Sequence, residues 1–156
     1  MRFAGDRTVG RLIKWLRILG IPCGLIQVRK ASEIPEETLL LTRATSLKGP
    51  RTLVLPYEKP ADQLRFVFEK FPGLWEEMRP FSLCLLCNER LEEVAKEEVF
   101  GLVPEHVFET QSRFRRCPRC GRIYWPGSHH GLMKRRLEGV LGRPLTDDQG
   151  ESGGGS

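Results

Sequence analysis

The sequence predicts an α/β fold, in which a parallel sheet with flanking helices is followed by a four-cysteine zinc ribbon and a C-terminal helix. Short apolar runs alternate with helical patterns through residues 1–72, and this alternation is typical of a parallel sheet with helices on its faces. After Pro72 the pattern gives way to paired cysteines, glycine and proline, which places a boundary near residues 72–82. We therefore expect one domain over 1–72, a zinc ribbon with its helix over 81–141, and a flexible tail over 142–156.

The first domain opens with a short strand, MRFAG, which is followed by a helical pattern from Thr8 to Leu19. At 100° per residue its apolar side chains share one side of the helix, and its cations project from the other. Gly20 and Pro22 end that helix. KASEIPEET is a polar connection with room for one helical turn. Further strands are expected over 24–28, 39–42 and 52–55, and a second helix begins at Pro60.

The charge distribution favours an anionic partner, of which nucleic acid is the commonest. The chain has 156 residues and a net charge of +5, and no acid lies between Glu109 and Glu138. That stretch carries eight cations: Arg113, Arg115, Arg116, Arg119, Arg122, Lys134, Arg135 and Arg136. No apolar run approaches the roughly 20 residues of a membrane span. The charged N-terminus is not that of a secretory signal, so a cytoplasmic location is expected.

Two CxxC pairs predict a structural zinc site. Cys84 and Cys87 form the first pair, and Cys117 and Cys120 form the second after 29 intervening residues. Two such turns place four sulfurs in the tetrahedron that zinc prefers, and they leave no open position for a substrate. Disulfides and a redox motif are the alternatives, which a reducing compartment and the doubled pair disfavour. The remaining thiol, Cys23, is expected to be a small buried side chain.

The stretch GRIYWPGSHHGLMKRRLEGVL follows the second pair and leaves several roles open. Tyr124 and Trp125 either pack beside the ribbon or stack on a base. His129 and His130 are expected in a turn before a cationic helix. One interpretation is that they are ordinary surface residues. The other is that one of them contacts a phosphate or assists proton transfer.

These motifs together resemble a known family. The segments FAGDRTVGRLIKWLRILG, LLLTR, CLLCN and CPRCGRIYWPGSHHGLM, in this order, resemble the C-terminal RNase domain of the Mut-seven exonuclease over roughly residues 1–141. The resemblance implies a PIN-like nuclease fold joined to a zinc ribbon. It also implies a ribonuclease whose acids hold Mg²⁺ or Mn²⁺ at the C-terminal edge of the sheet, because carboxylates suit these hard cations.

The resemblance implies a metal-ligand role for Asp6, which matches the first acid of the family. Without the family, an Asp before a helix is an ordinary N-terminal cap. Ala44 stands where the family has an aspartate, and the helix that bears another family acid is replaced here by a short segment. That alanine is either natural or an engineered substitution. Three acids of the short segment are candidates for a further catalytic ligand: Glu33, Glu36 and Glu37.

The predicted function is a metal-dependent ribonuclease that acts on RNA, with an acidic site that is incomplete at position 44. The alternatives are an RNA-binding module without catalysis and a zinc-ribbon adaptor for proteins. Candidate nucleic-acid contacts are Arg7, Arg11, Lys14, Arg17, Arg43, Arg115, Arg116, Arg119, Arg122, His129 and His130. The expected cofactors are structural Zn²⁺ and catalytic Mg²⁺ or Mn²⁺.

Overall fold

The computed structural model describes residues 2–146. The chain divides into two compact units, Met1–Met78 and Arg79–Ser156. The predicted tail residues 147–156 lie outside the described part of the chain. No helix within residues 2–146 has both the length and the apolar character that crossing a membrane requires.

The first unit alternates strands and helices, as the sequence pattern predicts. In chain order its elements are β1 (Arg2–Gly5), α1 (Gly10–Ile18), β2 (Cys23–Leu25), β3 (Thr38–Thr42), β4 (Thr52–Val54), α2 (Pro60–Lys70) and α3 (Leu74–Glu77). Short 3-10 turns occupy Arg7–Val9, Ala31–Glu33 and Thr45–Leu47. The strands form a sheet in the order β2-β1-β3-β4. Every pairing in this sheet is parallel, which confirms the predicted α/β class.

The amphipathic α1 packs its apolar side chains into the interior of the first unit. Leu12 and Leu16 are fully buried on it, and α1 lies against α2. Gly5 permits this packing, because a Cβ at that position would come within 2.8 Å of the Ile13 side chain. The α-helix begins at Gly10 and not at Thr8 because residues Arg7–Val9 form a 3-10 turn, a common start for a helix.

The segment between β2 and β3 covers part of the sheet with apolar side chains. The predicted strand over 24–28 is short, Cys23–Leu25, and the chain then leaves the sheet. A cluster forms around Ile34, Leu40 and Leu47, and partly buried residues pack against it: Ile26, Val28, Ala31 and Ala44. The resemblance implies a full helix between β2 and β3. The chain instead has a short segment there, whose apolar side chains pack in this cluster.

The second unit is a small antiparallel sheet with two helices. Its elements are β5 (Glu92–Val94), α4 (Glu105–Thr110), β6 (Phe114–Arg116), β7 (Ile123–Tyr124) and α5 (Ser128–Leu141), with a 3-10 turn at Lys96–Val99. The sheet order is β5-β6-β7. Val99, Val107 and Phe114 form an apolar cluster in this unit. The sequence did not predict α4, since its six residues are too few to show a helical period.

The C-terminal helix continues into an ordered turn. Gly142 ends α5 with φ of +74°, a conformation that glycine adopts without strain. Leu145 is buried, and its backbone N–H donates to Glu138 Oε2 at 2.8 Å. Leu145 is therefore buried and held to α5 at a position that the sequence assigned to the flexible tail.

Candidate functional site

The two CxxC pairs form two turns with the same hydrogen bonding. The N–H of Asn88 donates to the carbonyl of Cys84, and the N–H of Gly121 donates to the carbonyl of Cys117. Asn88 and Gly121 both have positive φ, at +60° and +80°. Residues that tolerate this conformation let the backbone turn sharply after the second cysteine of each pair, so that the two sulfurs of that pair lie on the same side of the turn.

The four sulfur atoms fit a tetrahedral zinc ion. The Sγ atoms of Cys84, Cys87, Cys117 and Cys120 all lie within 4.8 Å of one another. The Cys84 and Cys120 sulfurs are 3.8 Å apart. Zinc–sulfur bonds of about 2.3 Å in a tetrahedron require sulfur separations of about 3.8 Å. The cluster therefore has the size that a four-thiolate zinc site needs.

Hydrogen bonds to Cys84 Sγ favour its thiolate form. Burial raises the pKa of the Cys84 thiol, but hydrogen bonds from the Tyr124 hydroxyl and from two backbone N–H groups outweigh it and lower the pKa to about 6. Burial and the other three sulfurs raise the pKa of Cys87 to about 12. The cluster thus stabilises a first thiolate by itself, whereas a full set of thiolates requires the charge of a cation.

Asp6 lies at the carboxyl end of β1, where the sequence placed it, and it is buried with 2% of its surface exposed. Oδ1 accepts from the Thr8 N–H at 3.0 Å and from the Thr8 hydroxyl at 2.5 Å. Oδ2 accepts from the Thr42 hydroxyl at 2.6 Å. The carboxylate is therefore a cap for the first helical turn and also a link between β1 and β3.

The two threonine hydroxyls extend this network into the backbone after β3. Thr8 Oγ1 accepts from the N–H of Arg43 at 2.9 Å, and Thr42 Oγ1 accepts from the N–H of Ala44 at 3.0 Å. Each hydroxyl thus donates to Asp6 and accepts from a backbone amide. Neither threonine is predicted from the sequence; for Thr8 the available signal is its place two residues after an Asp, a common capping arrangement.

The other predicted acids do not gather around Asp6. Glu33 is exposed, and its Oε1 accepts from the N–H of Arg29 at 2.6 Å. The carbonyl of Glu37 accepts from the N–H of Arg2, so Glu36 and Glu37 lie near the amino end of β1, opposite to Asp6. Ala44 packs against the apolar cluster of the first unit.

This edge of the sheet does not fit a resident Mg²⁺ or Mn²⁺, because these hard cations need free oxygen ligands and both oxygens of Asp6 already accept hydrogen bonds within the protein. Within residues 2–146, one group of three or more acidic, histidine or cysteine side chains could hold a metal ion. That group is the four-cysteine cluster. Asp6 belongs to no such grouping among these residues, and hydroxyl and amide groups already bind its two oxygens. We therefore derive no chemical step through a divalent ion at Asp6.

The predicted basic contacts of the first unit lie on and beside α1. Arg7, Arg11, Lys14 and Arg43 are exposed, and within residues 2–146 none of these four pairs with a carboxylate. Arg17 differs, because it is half-buried and its Nε donates to the carbonyl of Cys23 at 2.9 Å. The four exposed side chains offer cations to an anionic ligand, while Arg17 also stabilises the fold.

Three of the four arginines among the predicted contacts of the second unit lie beside acids. Glu93 binds Arg113 at 3.0 Å and lies 3.6 Å from Arg115, a residue that is itself 8% exposed. Glu98 lies 3.3 Å from Arg116, and Glu89 lies 3.7 Å from Arg119. Of the remaining predicted contacts, Arg122 and His129 are exposed. The ring of His130 stacks on Phe81 with centroids 3.6 Å apart.

The fold and the cysteine site together define a class of protein: an α/β unit with a parallel sheet, followed by a four-cysteine module that fits zinc. The chain belongs to the Mut7-C RNAse domain family, whose model matches residues 1–137. Comparison with curated proteins and with solved structures gave no match. Membership confirms the resemblance seen in the sequence and implies a nuclease-like function.

Proposed function

We propose that this protein binds RNA through the cations of its first unit and does not cleave it. The observation that carries the proposal is the state of Asp6. Among residues 2–146 it is the one carboxylate that is buried, and its two oxygens accept three hydrogen bonds from Thr8 and Thr42. The exposed cations are retained, while within the same residues no group of three or more acids that could hold a divalent ion is assembled.

The exposed cations of the first unit supply the affinity in this proposal. Arg7, Arg11 and Lys14 follow one another along the exposed side of the first helical segment, and Arg43 follows β3. Lys and Arg that neutralise phosphates release counterions, so binding weakens steeply with salt. Four such contacts on single-stranded RNA would give a slope of about −3 in a plot of log affinity against log salt.

A ribonuclease is the second candidate, favoured by the family match and by the position of Asp6 directly after the first strand. It predicts Mn²⁺-stimulated cleavage of RNA that Asp6→Asn abolishes. Zinc in the four-cysteine site serves the fold in both candidates, because a closed tetrahedral site offers no position to a substrate.

The test uses the full zinc-loaded chain with labelled single-stranded RNA, and it measures both retention and cleavage with and without Mn²⁺. We expect salt-sensitive retention and intact RNA. Lys14→Gln should weaken binding about fivefold at 0.1 M salt, the effect of losing one phosphate contact. Lys59→Gln, a matched change of an exposed lysine beside α2, should leave binding unchanged.

Two outcomes would contradict the proposal, and a third, the gain of cleavage in a variant, would contradict its structural explanation. Cleavage by the wild type that is lost in Asp6→Asn would establish the ribonuclease instead. Cleavage gained by Ala44→Asp would show that one missing ligand was the sole defect; we expect no gain, because Ala44 packs against apolar side chains. Negligible RNA affinity at about physiological salt would favour the protein-interaction adaptor.

A further inference from the structure

Tyr124 lies beside the four-cysteine cluster, on the short strand β7 that follows the second cysteine pair. It is half-buried and packs against a cluster formed by Cys84, Leu91 and Cys117. The β6–β7 hairpin carries Cys117 and Cys120 between its strands, while Cys84 belongs to the other turn. Tyr124 is therefore placed to connect the hairpin of the second pair to the turn of the first.

The hydroxyl of Tyr124 makes that connection through two hydrogen bonds, one accepted and one donated. It accepts a hydrogen bond from the Leu85 N–H at 3.1 Å, and it lies 3.2 Å from Cys84 Sγ, to which it donates. Because the amide can only donate, the phenolic proton is directed to the sulfur. One oxygen atom thus holds both a ligand sulfur and the backbone amide next to it.

The donors to the second cysteine pair are different in kind. The sulfur of Cys117 accepts from the N–H groups of Arg119 and Cys120, and the sulfur of Cys120 accepts from the N–H of Arg122. These amides belong to the same turn as the sulfurs they bind. The Tyr124 hydroxyl instead reaches a sulfur 40 residues away in the sequence. It therefore fixes one turn relative to the other, which backbone amides within one turn do not do.

We propose that Tyr124 is a positioning residue of the metal centre: its hydroxyl orients Cys84 Sγ and joins the two cysteine turns before the ion binds. The proposal rests on the assignment of the four cysteines to zinc. Groups that orient metal ligands in this way typically change metal affinity by about 10- to 100-fold when they are removed. A hydrogen bond to a thiolate also withdraws charge from the sulfur, which changes the metal–sulfur charge-transfer energy.

The experiment compares Tyr124→Phe with Tyr57→Phe in the full chain. Tyr57 is an exposed tyrosine of the first unit, so its substitution removes the same hydroxyl far along the chain from the cysteines. The first readout is the rate of zinc transfer to a coloured chelator. The second is the sulfur-to-metal charge-transfer band of the Co²⁺-substituted protein. For Tyr124→Phe we expect transfer about 10-fold faster and a band at longer wavelength, and for Tyr57→Phe no change in either.

Two results would overturn the role of Tyr124. One is an unchanged charge-transfer band, which would show that no hydrogen bond reaches the sulfur. The other is a shifted band with an unchanged or slower zinc transfer, which would show that the bond does not organise the site. A wild type that binds no Zn²⁺ or Co²⁺ would overturn the zinc assignment itself and this role with it.

A measurement on the wild type keeps the proposal testable if Tyr124→Phe does not fold. The Leu85 amide should exchange its hydrogen slowly in the zinc-loaded protein, because it donates to the Tyr124 hydroxyl. Exchange at the rate of an exposed loop amide would contradict the bridge without any substitution.

Discussion

The two units of this protein carry similar numbers of cations, but these cations differ in whether acidic side chains lie beside them. Residues 1–78 contain 13 Lys and Arg against 9 Asp and Glu, and residues 79–156 contain 12 against 11, so the two segments carry charges of +4 and +1. On α1 the exposed cations have no acidic partner within the described residues. On β6 the arginines face glutamates of the neighbouring strand β5 and of the turn that follows it.

A run of cations in a sequence is therefore not yet a basic surface. Residues 110–137 contain no acid, which made the second half look like the nucleic-acid contact. Antiparallel pairing brings Glu92 opposite Arg116 and Glu93 opposite Arg115, and these acids come from a separate acidic stretch. Within the described residues no carboxylate pairs with Arg7, Arg11 or Lys14, and these side chains are exposed.

The largest expected effect is that of zinc removal, which should act on one unit and spare the other. Chelation removes about 10 kcal/mol or more of folding free energy from a small four-cysteine module. We expect the amide signals of residues 79–146 to collapse in an NMR spectrum while those of residues 2–78 persist. Cys117→Ser should reproduce the effect and Cys23→Ser should not. Loss of both sets of signals together would show that the units do not fold separately.

The next effect concerns the acid of the first unit. Asp6→Ala should lower the free energy of unfolding by about 3 kcal/mol, since it leaves the buried Thr42 hydroxyl and the Thr8 hydroxyl and N–H without their acceptor. Asp62→Ala, which removes an exposed ion pair with Arg65, should change it by less than about 0.5 kcal/mol. Urea unfolding at matched zinc content measures both. Equal effects would mean that the buried network does not stabilise the fold.

A smaller effect is the pH dependence of stability that comes from Cys23, the cysteine of the first unit. Burial raises the pKa of Cys23 from 9.0 to about 12. The raised pKa stabilises the protein fully below pH 9, and this contribution is lost as the pH rises from 9 to 12. At pH 10 the loss should be about 1.4 kcal/mol. Urea unfolding of the zinc-loaded wild type and Cys23→Ala at pH 8 and pH 10 measures it. A loss of the same size in both proteins would exclude Cys23 as its source.

The smallest effect tests the electrostatic comparison directly. Arg11→Gln should weaken RNA binding about fivefold at 0.1 M salt and reduce the salt slope by about 0.7. Arg116→Gln removes the same charge from the second unit, where Glu98 already binds it, and should change the affinity less than twofold. Fluorescence anisotropy with labelled single-stranded RNA measures both. Equal losses would show that the second unit shares in the contact.

Local sequence patterns are sufficient to predict the α/β class, the amphipathic face of α1 and the four cysteines of the zinc-type cluster. Each of these depends on local periodicity or on cysteine spacing, which neighbouring residues fix. The apolar run before Thr42 and the alternation of strand and helix were sufficient to predict a parallel sheet. The family resemblance was likewise carried by contiguous motifs.

Which charges and polar groups contact one another becomes visible in the folded chain and not in the sequence. The Asp6 carboxylate binds Thr42 across 36 residues, Arg116 meets Glu98 across 18, and the Tyr124 hydroxyl reaches Cys84 across 40. Such contacts depend on strand order and register, which bring distant segments together. The physical reason is that hydrogen bonds and ion pairs act over a few ångströms of space, whereas a sequence records only distance along the chain.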